Sequence, residues 1–161
     1  MIYPDPVEFL LLSMPELKVD LEARVEDAYG YTWETASVCA KLMELGKTVK
    51  SDFTKGTPPF KKSKHILAVL EEFLQIHGDQ DLHNSLQVCF FEGLLNKDSA
   101  SESAFKTFIS FLGPESVKVC KQNDAGWGCK TPFLYDTDTP SAKLFMKHRE
   151  LIEGILNKKE L

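Results

Sequence analysis

The chain has 161 residues, 43% hydrophobic and 27% charged, with a formal net charge of −5. Those proportions fit one soluble globular domain and exclude a disordered chain; the apolar run at residues 9–12 is far shorter than the roughly 20 residues a membrane helix needs. An acidic chain is also excluded as a general nucleic-acid binder, because phosphate binding needs a broad positive surface.

The charge is unevenly spread. Residues 1–45 carry nine acids and three bases, 46–64 one acid and six bases, 65–112 seven acids and two bases, and 113–161 seven acids and eight bases. The opening MIYPDPVEFL has no basic region ahead of an apolar core, so no secretion signal is expected and the expected location is the cytoplasm. Cys39, Cys89, Cys120 and Cys129 form no close pair of the kind zinc sites and redox motifs use, and they read as free thiols, with Cys39 and Cys89 packed as small hydrophobes. A disulfide does not suit a reducing compartment.

In chain order, Pro4-Asp5-Pro6 opens a short helix carrying Val7, Phe9, Leu10 and Leu11, with Pro6 in its first turn. Ser13 and Glu16 stand at capping-box spacing before a second helix, whose apolar stripe is Leu17, Leu21, Val25 and Ala28 and whose other face carries Asp20, Glu22, Glu26 and Asp27. Thr32 is the expected cap of a third helix, with Trp33, Ala36, Ala40 and Met43 on one face and Gly46 as its stop. Residues 47–63 hold lysines, Gly56 and Pro58-Pro59 and read as a long exposed basic loop. Residues 65–95 read as two helices folded back on each other about Gly78-Asp79. The first has the stripe Ile66, Leu67, Leu70, Phe73, Leu74 and His77; the second has Leu82, Leu86, Cys89, Phe90 and Gly93. Ser99 and Glu102 precede a helix with Phe105, Phe108, Ile109 and Leu112, and Gly113-Pro114 starts a short one with Val117 and Cys120. Beyond Gly126-Trp127-Gly128, residues 129–161 form a C-terminal extension. It has an extended piece at 131–137 and a terminal helix over 140–158 with Leu144, His148, Leu151 and Ile155 aligned. The fold class expected is all-α, a single-domain bundle of about seven helices over 1–161.

No motif names a reaction. His65, His77, His83 and His148 lack ligand spacing, so no metal and no cofactor is expected. His83 and Ser85 face different sides of a helix and Cys89 reads as core, so no nucleophile and base come together and no enzyme is expected. The best candidate contact surface is Tyr29, Tyr31 and Trp33 beside Glu26, Asp27 and Glu34, aromatics at the centre and charges at the rim. The competing reading buries Trp33 in the core and leaves the acids as a solvated face. Trp127, Tyr135, Asp136 and Asp138 admit the same two readings.

Three stretches, FLLLSMPELK (9–18), EEFLQIHGDQDLHNSLQVCFFEGLL (71–95) and FLGPESVKVCKQNDAGWG (111–128), together resemble a family of small all-helical bacterial proteins. That family includes immunity proteins cognate to toxins, as in contact-dependent inhibition. The resemblance covers residues 7–128 and is carried by MPELK, by the string Phe90, Phe91, Glu92, Leu94, Leu95, and by Leu112, Gly113, Pro114 and Ser116 ahead of Trp127. The chain departs from it in the lysine-rich stretch 47–63 and beyond residue 130. The resemblance implies an immunity protein that neutralises a cognate toxin domain, a basic nuclease such as an RNase, by covering its active cleft, without binding nucleic acid or membrane itself. Glu22, Glu26, Asp27, Tyr29, Tyr31, Trp33 and Glu34 are the residues chosen for that contact. The alternative is a helical interaction or adaptor module with no toxin partner.

Overall fold

The computed structural model describes residues 5–58, 60–76, 80–95, 102–128, 131, 134 and 135. Helix α1 (Pro6–Ser13) starts at Asp5, whose carboxylate accepts from the Val7 N–H at 2.8 Å and the Glu8 N–H at 3.4 Å, with Pro6 in the first turn. Then come α2 (Leu17–Tyr29), α3 (Val38–Lys55) and α4 (Lys61–Ile76). Next, α5 (Gln80–Ser85), a π-helical segment (Leu86–Phe91) and α6 (Glu92–Leu95) run on without a break, followed by α7 (Glu102–Ser110) and α8 (Pro114–Trp127). Counting 80–95 as one rod, seven helices are described, with no strand among the described residues. One hydrophobic cluster joins them, from Val7 and Phe9 in α1 to Cys120 in α8, so the chain is a single-domain all-α bundle.

Three local expectations are corrected. Ser13 ends α1 and its hydroxyl donates to the Leu10 carbonyl at 3.0 Å instead of capping α2, whose N-cap position is Glu16 without a side-chain bond. Thr32 closes a turn with Thr35, and the cap of α3 is Ser37, which accepts from the Ala40 N–H at 3.1 Å. Gly46 does not stop α3. A Cβ there would lie 3.2 Å from the Phe90 carbonyl oxygen, so glycine lets the π segment close onto the middle of the helix.

As a result, the basic loop expected at 47–63 is mostly helix. The buried stripe Leu42, Leu45, Val49 and Phe53 continues at helical spacing to the end of α3, and α4 begins at Lys61. The connection is only residues 56–60. Phe60 closes it in the left-handed region (φ 54°) and packs at a tilt on Phe53, ring centroids 5.2 Å apart. Ser63 Oγ donates to Asp52 and ties the start of α4 to the end of α3.

The helix pair on either side of residues 77–79 is as expected, while His77, Gly78 and Asp79 lie outside the described residues. Its arms, however, bury their stripes mainly on other elements. α4 packs on α1, α3 and α8, and the π segment packs on α3 and α8. The expected free thiols Cys39 and Cys89 are joined in a disulfide between α3 and the π segment, with Cα atoms 5.1 Å apart. Fifty positions separate the two cysteines in sequence, but the packing at Gly46 brings their elements together. Cys120 is free and buried; Cys129 lies outside the described residues.

The Gly-Pro start of α8 is a joint built on a buried acid. Glu71, fully buried in α4, accepts from the Glu115 and Ser116 N–H groups at 2.8 Å each and from Ser116 Oγ at 2.6 Å. A carboxylate at a helix N-terminus satisfies otherwise orphaned donors and complements the helix dipole. Gly113 leaves room for it, since a Cβ there would lie 2.3 Å from the Glu71 side chain. The helix is longer than expected. It takes in Gly126 and Trp127 and ends at Gly128 in the left-handed conformation (φ 64°). Asp124 then binds the Thr131 N–H and hydroxyl at 2.7 and 2.6 Å and the Tyr135 hydroxyl at 3.0 Å. Ser99, the rest of 131–137, and the helix expected at 140–158 lie outside the described residues.

Candidate interaction surface

The seven residues chosen from sequence divide into two groups. On α2, Glu22, Glu26 and Tyr29 share one face at spacings of four and three, with Asp27 beside them. Glu26, Asp27, Tyr31 and Glu34 are exposed, Tyr31 by 53%. Glu22 is half-buried and sits 3.7 Å from Lys18, whereas no ion pair engages Glu26, Asp27 or Glu34 among the described residues.

Trp33 does not belong to this surface. It is buried, its indole N–H donates to Glu8 Oε1 at 2.7 Å, and the Lys41 ammonium lies 4.4 Å from its ring centroid. Lys41 also approaches Asp5 and Glu8 at 3.7 and 3.5 Å. Trp33 is therefore a strut between α1 and α3, and the reading that placed it in the core is correct.

Tyr29 faces two ways. It packs on the core, and its hydroxyl reaches Met43 Sδ at 3.7 Å. Lys47, one turn further along α3, places its ammonium 6.0 Å from the Tyr29 ring and pairs with the nearly buried Glu44 at 2.6 Å. That hydrogen bond holds the Lys47 ammonium above its usual range, against the opposing effect of partial burial.

From Met43 the same face of α3 borders a groove of about 550 Å³ that the sequence did not reveal. Lys47, Lys50, Ser51 and Lys55 continue this wall, and Val88, Glu92 and Gly93 form the other. Met43 and Val88 are 41% and 57% exposed. Gly93, expected in the apolar stripe, is instead exposed on the groove, and a Cβ there would meet nothing within 4 Å. The available signal was the lysine face of α3 opposite its Leu42-Leu45-Val49-Phe53 stripe, which reading 47–63 as a loop concealed.

The remaining candidates do not assemble chemistry. Ser13 Oγ lies 3.1 Å from His65 Nε2 and also 3.0 Å from the Leu10 carbonyl, which competes for the one serine proton. Burial lowers the His65 pKa, with Glu16 partly opposing it. His83 is half-exposed, its Nε2 buried without a hydrogen-bond partner among the described residues; His148 lies outside them. Among the described residues no group of three or more His, Cys, Asp or Glu side chains is placed to hold a metal ion, and no helix is long and apolar enough to cross a membrane. Trp127 is 66% exposed at the end of α8, and Tyr135 is exposed with Lys121 5.2 Å from its ring; Asp136 and Asp138 lie outside the described residues.

The geometry defines an all-α bundle with an acidic, aromatic-edged helix face and, next to it, a groove rich in lysine. The chain belongs to the family described as a domain of unknown function, DUF7674, whose model matches residues 7–128. No curated protein and no solved structure matches it.

Proposed function

We propose that this protein is an immunity-type inhibitor that binds a basic toxin domain, a nuclease such as an RNase, in the cytoplasm and covers its active cleft. The observation that carries the reading is the set of exposed carboxylates Glu26, Asp27 and Glu34, which make no ion pair among the described residues and lie beside exposed Tyr31. A nuclease cleft is basic because it holds phosphates, and carboxylates presented on a rigid helix occupy the same positions while accelerating encounter. The resemblance of residues 7–128 to small helical immunity proteins points the same way.

The test is growth rescue and binding with the protein encoded immediately upstream. Rescue is expected, with affinity that weakens as salt rises. The double reversal Glu26→Lys/Asp27→Lys should lower the association rate by about 10- to 100-fold at low salt while leaving the circular dichroism unchanged. Absence of binding refutes the function; binding with an unchanged rate and salt dependence refutes the chosen surface.

A further inference from the structure

The two halves of the Cys39–Cys89 bridge sit in unlike surroundings. Cys89 belongs to the π-helical segment, is 6% exposed, and lines the groove together with Met43 and Val88. Cys39 is half-buried in the first turn of α3, just past its cap Ser37. At about 550 Å³ the groove lies in the range of volumes that take a small molecule, so one half of the bridge borders a space that a small molecule can enter.

The π-helical segment decides how that half is covered. Its hydrogen bonds span one residue more than those of an α-helix. The apolar stripe that runs through Leu86, Cys89 and Phe90 therefore passes on to Phe91, Leu94 and Leu95, and Gly93 is turned to the groove. Helical side chains lean toward the N-terminus of their helix, so a side chain at position 93 would lie over the turn that carries Cys89. Glycine places none there, and among the described residues a Cβ at 93 would meet nothing within 4 Å.

The chemistry of exchange then orders the two sulfurs. An attacking thiolate bonds to one sulfur and expels the other, and the better leaving sulfur is the one whose anion is better stabilised. A thiolate on Cys39 faces the first-turn N–H groups and the positive dipole end of an 18-residue helix, with part exposure to water. A thiolate on Cys89 is buried. Leaving-group stability and access through the groove agree: Cys89 is attacked and Cys39 departs.

We propose that the Cys39–Cys89 bridge is a reversible thiol–disulfide switch, opened through the groove by a small thiol such as glutathione, with Cys89 as the attacked sulfur and Cys39 as the leaving and resolving one. The glutathione thiolate bonds to Cys89 Sγ as the Cys39–Cys89 bond breaks, and Cys39 leaves as a thiolate. Cys39 can attack Cys89 Sγ again and expel glutathione, which restores the bridge. Otherwise a second glutathione thiolate attacks the glutathione sulfur, giving glutathione disulfide, and the two protein thiolates take up the protons that the two glutathione thiols gave up. Glutathione disulfide drives the same steps backwards. Opening removes the covalent tie between α3 and the 80–95 rod, so the state of the groove follows the thiol balance around the protein, whatever the α2 face binds.

The test uses the full-length oxidised protein without denaturant, mixed with excess reduced glutathione, quenched early with acid, alkylated and peptide-mapped, which keeps Cys120 and Cys129 apart from the pair. Mixed disulfide is expected on Cys89 in at least about tenfold excess over Cys39, with the alkyl group on Cys39. Gly93→Leu should slow opening at least about tenfold, because access limits exchange, and leave the urea midpoint unchanged. If that variant loses helix content by circular dichroism, Val88→Trp on the same wall takes its place with the same expectation. Glutathione found chiefly on Cys39 overturns the assignment of roles, and an opening rate that the groove variant leaves unchanged overturns the route. A bridge that opens only as fast as the chain unfolds, measured by adding urea, overturns the switch itself.

Discussion

Glu71→Gln tests how much of the bundle rests on one buried acid. In the native protein Glu71 Oε1 accepts from the Glu115 N–H at 2.8 Å and the Gln75 amide at 3.0 Å, and Oε2 accepts from the Ser116 N–H and hydroxyl. Glutamine keeps the shape but turns one acceptor into a donor. The Ser116 hydroxyl and the Gln75 amide can rotate to suit; a backbone N–H cannot. In either orientation, then, the first turn of α8 has one N–H facing an NH₂, a buried unsatisfied donor worth about 1–3 kcal/mol. The substitution also removes a negative charge from the helix N-terminus, worth up to about 2 kcal/mol when partly buried. The lower desolvation cost of an amide offsets part of the sum. A net loss of about 2–3 kcal/mol is expected, a fall in Tm of roughly 4–12 °C for a chain of this size. Urea unfolding followed at 222 nm measures it directly, with an unchanged m-value showing that the native state is still compact. Glu115→Gln is the control. Among the described residues its side chain pairs with exposed Lys118, while its backbone N–H serves the cap, so less than about 0.5 kcal/mol is expected. If the two variants lose equal stability, the cap at Glu71 is not what fixes α8 to α4.

Two further expectations concern cysteine and histidine. A bridge closing a 50-residue separation is worth up to about 4 kcal/mol by chain entropy, so reduction, or Cys39→Ser/Cys89→Ser, should lower unfolding stability by about 2–4 kcal/mol while leaving helix content intact. Cys39 and Cys89 should stay unreactive toward a thiol reagent in denaturant without reductant while Cys120 reacts, read by peptide mapping; labelling of Cys39 and Cys89 would remove the bridge from the fold. If the proposed toxin contact on α2 holds, it is expected to survive reduction, because the bridge joins α3 to the 80–95 rod and does not involve α2. For His65, burial lowers the folded-state pKa below the ordinary histidine value of 6.5, so the unfolded chain takes up its proton first as pH falls. Its contribution is present above about pH 6.5 and is lost as pH drops through the folded pKa. His65→Gln, which keeps a donor for Ser13, should flatten the pH dependence of Tm between about pH 7 and 5, and an equal slope in both proteins would contradict this.

Where the sequence could be read, the reason was local. Asp5 with Pro6, the stripe of α4 and the Gly113-Pro114 start of α8 each depend on neighbours within a turn or two, and each stands in the structure. Where it misled, the deciding contact was remote. Gly46 carries the local signature of a helix end, and only the backbone of Phe90 pressed against it shows that it is a contact point inside α3. That single misreading turned residues 47–55 into a loop and hid the lysine wall of the groove. Likewise, nothing within a turn or two of Glu71 shows that it is buried, because the N–H groups it accepts from belong to residues 115 and 116. On α2 the acids were legible as a surface because charge and helical period coincide, whereas Trp33 needed Glu8 and Lys41 to show that it is core.

The same physics limits what family membership implies. The segment Leu112, Gly113, Pro114 and Ser116, which carries much of the resemblance, is accounted for by folding. Leu112 is buried, Gly113 makes room for Glu71, Pro114 opens α8, and Ser116 donates to the buried carboxylate. In the string ending the 80–95 rod, Phe90, Phe91, Leu94 and Leu95 are all buried as well. Residues committed to the interior cannot select a partner, since no partner touches them in the folded protein. A match over residues 7–128 therefore carries the frame, and any partner must read exposed positions, among them Glu26, Asp27, Tyr31 and Glu34. Exchanging those exposed residues between two members of the family should exchange their partners and leave the unfolding midpoint within about 1 kcal/mol, because none of them fills the core.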